Sequence, residues 1–488
     1  MIQLVFFIIF VYLFFQARLG RGLGSANFFF RFDPLIFLTV SVAGRAILTF
    51  GVLSLSLVIA TFLFGRFFCG FACPLGTAVD LLEPLVRRRA GSSGPALKNM
   101  KYLLLFFLAA AAAVGVSRAQ FFDPLAIMDR SLVLFLYPVA GYFLAAFTAL
   151  QPAGFVENLI APVSFTLIVG SSFFASRFWC RNLCPLGALL ALISKFSVFK
   201  FAFRGDCLKC EACGKVCPTG AIRVKDRLID SAECVACLRC WAECPHRRVG
   251  YRLYPPRVPF DIRKRQFVAA LAAGVVFTPL ARSLIHVKLN ERLIRPPGSL
   301  PESDFMNACL RCGLCLKACP TNGLQPCLAE AGFGGLWTPR LVGRIGGCEK
   351  NCNACGRVCP TSAIRDLTLD EKSFAKMGTA VIDRDRCIAW AQDKVCLICD
   401  EACQYNAIDS RAETIRGVNL LRPFVIERIC VGCGICEARC PLEGPAAIQV
   451  LPTGEERKRT GSYITEEKRR LRDEVNKNED LPSGFITE

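Results

Sequence analysis

The stretch CLKCEACGKVCPTGAI at residues 207–222 decides how this chain is read. Its cysteines, Cys207, Cys210, Cys213 and Cys217, are spaced C-x2-C-x2-C-x3-C and end on Pro218. That is the ligand run of a [4Fe–4S] cluster, in which thiolates hold the iron. The closing proline turns the chain away. The pattern recurs at once as Cys234, Cys237, Cys240 and Cys244-Pro245.

Four more runs lie downstream: Cys309, Cys312, Cys315, Cys319-Pro320; Cys348, Cys352, Cys355, Cys359-Pro360; Cys387, Cys396, Cys399, Cys403; and Cys430, Cys433, Cys436, Cys440-Pro441. The second of these opens with a wider gap, the third with a gap of eight, and the third ends on Gln404 instead of proline. Twenty-four of the 29 cysteines thus fall into six quartets, which predicts six [4Fe–4S] clusters. Disulfide scaffolds do not repeat this spacing. Zinc takes C-x2-C pairs, without third and fourth cysteines at these offsets before proline. Ligation of this density serves to carry single electrons over a distance.

The other half of the chain has a different chemistry. Of all residues 53% are hydrophobic, and the apolar runs concentrate before about residue 175, at 2–16, 35–64, 102–117, 132–150 and 158–175, with one later run at 267–285. Spanning a bilayer takes roughly 20 helical residues. Residues 2–16 are short for that and are read as a first anchor. An internal repeat organises this half. Phe32-Asp33-Pro34-Leu35 recurs as Phe122-Asp123-Pro124-Leu125, and GRFFCGFACPLG (65–76) recurs as SRFWCRNLCPLG (176–187). Repeats in membrane proteins often place a functional site at their interface.

Lysine and arginine flank these runs at Arg87–Arg89 and across 195–265, which places both C-x3-C-P-L-G motifs on the cytoplasmic side and both FDPL turns near the outer face. Two full spans between 131 and 175 would break that topology, so 132–150, with Pro138 and Gly141, is expected to be re-entrant or interfacial. The formal charge of +19 shrinks in the loaded protein, because each oxidised cluster with four thiolates carries about −2. Nucleic-acid binding is not needed to explain the remainder.

Residues 254–266 form a Pro- and Arg-rich linker before an apolar segment. Lys264-Arg265-x-Phe267 resembles a twin-arginine export signal with lysine in place of the first arginine; the alternative is an ordinary anchor with a basic inner flank. Both send the chain outward. Residues 295–301 (RPPGSLP) read as a second linker. The expected fold is a membrane α-helical bundle with an internal repeat (1–200), a two-cluster ferredoxin-like α+β module (201–253), a linker with a transmembrane helix (254–300), a four-cluster ferredoxin-like α+β module (301–453) and a charged tail (454–488).

The FDPL and C-x3-C-P-L-G repeats followed by a two-cluster ferredoxin resemble NapH-type membrane quinol dehydrogenases, and the four-cluster module resembles NapG. The chain looks like the two fused. The resemblance implies a protein of the bacterial inner membrane, with the two-cluster module in the cytoplasm and the four-cluster module in the periplasm. It implies electrons leaving the quinol pool for an extracytoplasmic reductase or multihaem c-type cytochrome. In two-cluster ferredoxins the fourth cysteine of each run serves the other cluster, which gives Cys207, Cys210, Cys213 with Cys244, and Cys234, Cys237, Cys240 with Cys217. The irregular middle runs of the longer module resemble electron-transfer subunits of molybdenum reductases. That likeness implies pairing of first with fourth and second with third: Cys309, Cys312, Cys315 with Cys440; Cys430, Cys433, Cys436 with Cys319; Cys348, Cys352, Cys355 with Cys403; Cys387, Cys396, Cys399 with Cys359.

Quinol oxidation releases protons as well as electrons. The only two histidines, His246 and His286, lie outside residues 1–200, so a bis-histidine haem within the helical bundle is excluded. Asp33 and Asp123 are the first candidates for a quinol site, since acids in apolar surroundings tend to be functional; the competing reading makes them helix N-caps before proline. Asp80 and Glu83 are the alternative carboxylates. Cys69, Cys73, Cys180 and Cys184, each pair one turn apart if helical, are read as metal or cluster ligands, redox thiols or packing residues. Cys327 is left over and reads as a buried small hydrophobe. No NAD or flavin motif is present: Gly20, Gly22 and Gly24 lie in no strand-turn-helix unit. Two rival functions are an accessory polyferredoxin for maturation, and an electron-transfer subunit whose partner holds the quinone.

Overall fold

The computed structural model describes residues 2–16, 27–46, 51–85, 95–145, 154–155, 160–204, 207, 210–253, 264–284, 292–415 and 417–479. The basic loop Arg87–Arg89, the glycines 20, 22 and 24, Arg263 and His286 lie outside these residues. The chain divides into two units. One comprises Met1–Ala140, Glu157–His286 and Asn307–Cys312; the other comprises Gly141–Val156, Val287–Met306 and Gly313–Glu488.

In the first unit the sequence repeat becomes a structural one. Asp33 caps the helix Pro34–Gly44, a second helix Gly51–Phe64 follows, then a short helix Phe67–Phe71, and Cys73 caps Pro74–Leu82. The second copy runs Asp123, Pro124–Ser131 and onward to Ala145, then Ile160–Gly170, Phe178–Asn182, and Cys184 capping Pro185–Ser194. All four caps precede a proline at the first helical position, where its missing N–H costs nothing and its fixed φ suits the helix.

Residues 132–145 are helical throughout. The helix begun at Pro124 continues through Pro138 to Ala145, and residues 146–150 lie outside the described part. Leu132–Leu136 form a π turn in which the Tyr137 N–H donates to Leu132 O, five residues back. That widening accommodates the proline ring without breaking the helix. Among the described residues this helix, Pro124–Tyr142, is the one long and apolar enough to cross a membrane; the other apolar helices have 10–17 residues. Helix Lys264–Leu284 packs along Pro95–Ala113, with Phe106 and Phe267 edge to face at 4.6 Å. A Cβ at Gly274 would stand 2.6 Å from Phe107 O, so only glycine permits this approach.

The two-cluster region groups with these helices in one unit. Strand Phe199–Phe203 pairs antiparallel with Val249–Leu253, around a core of Phe201, Phe203, Ala221, Ile229 and Val249.

In the second unit, Thr379–Ile382 pairs with Ile448–Leu451, Leu324–Pro326 with Pro339–Leu341, and Ile408–Ile415 with Val418–Val425 in a long hairpin. Two expectations are corrected. Residues 295–301 are not a free linker, because Arg295 to Ser299 are buried and the Leu300 N–H donates to Ala363 O while Gly298 O accepts from Arg365 N. Arg295 itself reaches Glu302, Thr338 Oγ1 and Pro339 O. Nor does the fold end at 453. Tyr463 is fully buried against Leu367, Phe374 and Ala375, Arg457 pairs with Glu302, and Arg472 donates to Ser373 Oγ and O from the helix Glu466–Glu479. Part of the tail's charge is engaged in these contacts.

Candidate functional site

The cysteine runs close into quartets. Four small cavities are lined by Cys217, Cys234, Cys237 and Cys240; by Cys319, Cys348, Cys352 and Cys355; by Cys387, Cys396, Cys399 and Cys440; and by Cys403, Cys430, Cys433 and Cys436. Cys213 stands near Cys207, Cys210 and Cys244. The crossing expected in the two-cluster module is therefore present. The pairing expected in the longer module is not: the third run exchanges its fourth cysteine with the fourth run, and Cys319 completes the quartet of Cys348, Cys352 and Cys355.

Strand pairing supplies the reason. In the two-cluster module a strand before the first run, Phe199–Phe203, pairs with one after the second, Val249–Leu253. The same closure recurs as the Ser299–Ile364 bridge around runs one and two, and as Thr379–Ile382 with Ile448–Leu451 around runs three and four. The longer module is two ferredoxin-like units in series. The signal lay in short strand-forming segments such as TAVI and IQVL flanking the cysteines.

The residues fit the clusters they imply. Backbone N–H groups point at the fourth sulfurs: Ala221 N to Cys217 Sγ at 3.4 Å, Arg248 N to Cys244 at 3.3 Å, Ile364 N to Cys359 at 3.5 Å and Ala407 N to Cys403 at 3.2 Å. Such bonds favour thiolate and tune cluster potential. A single zinc ion would draw its thiolates to within about 4 Å of one another. Among the described residues no group of three or more His, Cys, Asp or Glu side chains is gathered to hold a single ion. Burial, with neighbouring thiols, pushes Cys399 up to about 12, so cluster loading must displace protons there. Cys327 is fully buried, lies 3.6 Å from Arg295 Nη1 and lines none of these cavities, in keeping with a structural role. His246 is exposed.

The C-x3-C-P turns are not continuous helices. Cys69 and Cys180 sit in short helices, while Cys73 and Cys184 are extended caps (ψ 115° and 111°), because a residue before proline is driven out of the α region. The two repeats nevertheless bring the four thiols into one neighbourhood, with Cys184 near Cys180, Cys69 and Cys73. Two arginines absent from the sequence reading close this site. Arg66 of the first repeat lies against the second repeat's turn, where a Cβ on Gly187 would be 2.9 Å from its Nη2. Arg177 of the second repeat lies against the first, 3.7 Å from a Cβ on Gly76, and donates to Cys69 O at 2.9 Å. Their signal was the shared residue, Gly65-Arg66-Phe67 against Ser176-Arg177-Phe178. Asp80 accepts two bonds from Arg177 and one from Arg239, all at 2.8 Å, which makes it an ion-pair bridge.

At the FDPL turns the N-cap reading is seen directly. Asp33 Oδ1 accepts from Leu35 N (2.8 Å) and Ile36 N (3.1 Å), and Asp123 Oδ2 accepts from Ala126 N (2.8 Å), as N-caps do. The remaining oxygens, Asp33 Oδ2 and Asp123 Oδ1, have no hydrogen-bond partner, and the two carboxyls are near enough to interact with one another. Both residues are fully buried. Arg130 lies within electrostatic range of Asp123 and of Cys312. Residues Asn307–Cys312 belong to this unit: Asn307 Oδ1 accepts from Ser117 N, Gln120 donates to Asn307 O at 2.8 Å, and Arg311 stacks on Phe121 at 4.6 Å.

Comparison with known proteins bears on these sites. The family described as a 4Fe-4S binding domain (Fer4_5) matches residues 46–93 and 157–204, the segments carrying the two C-x3-C-P turns. The chain is 40% identical to the methylamine utilization ferredoxin-type protein MauM of Methylorubrum extorquens over 37% of its own length and 81% of that protein's. It is 36% identical to the ferredoxin-type protein NapG of Escherichia coli over 33% of its length and 70% of that protein's. It is also 27% identical to the putative electron transport protein YccM of E. coli, over 40% of the chain and 52% of that protein. With its cysteine quartets and these relatives, the chain belongs to the iron–sulfur ferredoxin-type proteins that include MauM and NapG.

Proposed function

We propose that this protein is a membrane-bound quinol dehydrogenase and electron conduit, a NapH-like helical half fused to a NapG-like half. It passes electrons from quinol to an extracytoplasmic reductase or multihaem cytochrome. The observation that carries the reading is the buried Asp33–Asp123 pair, where the two repeats meet, with Arg130 in electrostatic range of both Asp123 and Cys312. A proton acceptor beside an electron acceptor is what quinol oxidation demands. Six [4Fe–4S] clusters on the 24 cysteines supply single-electron carriage when bound.

The residues do the rest. One carboxylate of the acid pair takes a proton. Arg130 sits where its charge favours that carboxylate. The apolar side chains exposed on the helical half, among them Val52 (78%) and Leu167 (68%), support a place in the bilayer, where quinol resides. The two-cluster module is assigned to the cytoplasm and the longer one to the periplasm. Anaerobic mixing of the purified holoprotein with a hydroquinone, followed by cluster absorbance, tests the reading. Cluster bleaching without an added subunit is expected; bleaching only with a partner present shows that the quinone site lies elsewhere.

A further inference from the structure

The third cysteine run ends on Gln404, where the other five end on proline. That side chain crosses to the other half of the longer module: Gln404 Oε1 accepts from the Lys350 N–H at 2.8 Å. Lys350 stands between Cys348 and Cys352, which line the cavity completed by Cys319 and Cys355. Proline has no side-chain acceptor and could not make this bond. The next residue, Tyr405, is buried and lines the cavity of Cys403, Cys430, Cys433 and Cys436, with the Lys350 ammonium 5.5 Å from its ring centre. Its charged neighbours include Cys348, Cys433 and Cys403, thiols from both cavities.

The two halves touch at the ligand residues themselves. The Cys348 N–H donates to Cys433 O at 2.7 Å, so a ligand residue of one cavity bonds a ligand residue of the other. Gly347 permits this approach, since a Cβ there would stand 2.4 Å from Ile435 Cγ1 and 2.6 Å from Ile435 N. Arg344 fastens the same seam, donating to Cys440 O at 2.8 Å, to Glu437 O at 3.2 Å and to Leu442 O. Electron tunnelling falls exponentially with distance, so the closest pair of clusters across a seam carries the current.

Charge differs on the two sides. Lys372 is buried, and its Nζ donates to Glu349 O and, at 3.3 Å, to Lys350 O, inside the loop that carries Cys348 and Cys352. Cys348 and Cys355 both have its ammonium as a charged neighbour, whereas the strongest charged neighbours of Cys433 and Cys436 are other cysteines. A fixed positive charge beside a cluster favours the reduced, more negative form and so raises its potential.

We propose that electrons cross between the two halves of the longer module at this seam, directly between the cluster on Cys403, Cys430, Cys433 and Cys436 and the cluster on Cys319, Cys348, Cys352 and Cys355, and that Lys372 raises the potential of the latter. One electron passes at a time: one cluster is oxidised as the other is reduced, with no atom transferred. Gln404, Gly347 and Lys372 are positioning residues that set the contact and charge of the Cys348–Cys352 loop. The proposal rests on [4Fe–4S] occupancy of these quartets and is independent of where quinol is oxidised.

The test uses the full holoprotein, prepared anaerobically in detergent, with iron analysis and an EPR-monitored potentiometric titration. Lys372→Met is expected to keep its iron and to lower the midpoint potential of one signal, the signal absent from Cys355→Ala. Lys372→Arg, which keeps the charge, is expected to stay near the native potential. Cys399→Ala removes the cluster on Cys387, Cys396, Cys399 and Cys440, so spin–spin splitting left on the cluster of Cys403 comes from across the seam. That splitting is expected to persist, to vanish when Cys355→Ala is added, and to narrow when Gly347→Val wedges against Ile435. An unsplit signal in Cys399→Ala, with the remaining iron in place, would overturn the direct crossing. Unshifted midpoints in Lys372→Met would overturn the role of the lysine. If the cysteine variants do not accumulate, a fully reduced Gly347→Val spectrum identical to the native one overturns the crossing by itself. Native protein without iron would overturn the proposal together with the cluster assignment beneath it, an outcome the iron analysis reads separately.

Discussion

The two turns of the internal repeat make opposite use of the same symmetry. At FDPL the repeats bring a like pair of buried acids together, Asp33 and Asp123. At C-x3-C-P they bring together four thiols and cross two arginines, each against the other repeat's turn. Duplication here sets like residues near one another in a buried place. The acid turn gathers two carboxyls, while the thiol turn is crossed by Arg66 and Arg177 and packs against residues 231–239.

Several substitutions would break or sharpen that contrast. The largest effect belongs to Asp80→Asn, which strips the carboxylate from buried Arg177 and from Arg239. Losing one partner of a buried pair should destabilise the first unit by about 3–5 kcal/mol, read as an earlier thermal loss of cluster absorbance. Asp33→Asn with Asp123→Asn should leave iron content and reduction by dithionite intact, while slowing quinol-driven reduction by roughly 10²-fold or more. The asparagines keep the caps, so a comparable loss of stability would mean that the pair is structural only. Gly274→Leu should lower the thermal transition of the first unit by about 1–3 kcal/mol through overpacking against Phe107, with no change at either turn.

The smallest effect lies in the second unit. Burial works to raise the Glu302 carboxyl, but the hydrogen bond and charge of Arg295, with Arg457, outweigh it and hold the group below its ordinary value. Its contribution to stability is present above about pH 4.5 and lost as pH falls through the depressed folded value. A pH series of melting temperatures should show this acid-side slope in the native protein and a flatter one in Glu302→Gln.

Much of this was legible from residues alone. The cluster cysteines announce themselves by spacing, and the repeat by two quoted pairs of motifs. What spacing cannot convey is which fourth cysteine serves which run. The pairing in the longer module follows from short strands flanking each pair of runs, which carry only three or four residues of signal. Residues 295–301 look like a linker because Pro and Gly dominate them, yet Arg295 ties the segment into the module through Glu302 and Pro339 O. Arg66 and Arg177 escaped notice because a basic residue beside an apolar run reads as a membrane flank. Their burial is a tertiary fact. Asp33 and Asp123 read as caps or as a reactive pair; the structure shows the caps and brings the two buried carboxyls near one another.

The account's central claim is that this chain oxidises quinol by itself at the acid turn. It is tested most directly by anaerobic stopped-flow mixing of the purified holoprotein with a menaquinol analogue, following cluster bleaching in the native protein and in the Asp33→Asn, Asp123→Asn variant. The account predicts prompt bleaching in the native protein and a rate at least roughly 10²-fold lower in the variant, with equal bleaching of both by dithionite. No bleaching of the native protein by quinol, or equal rates in the two proteins, would contradict it.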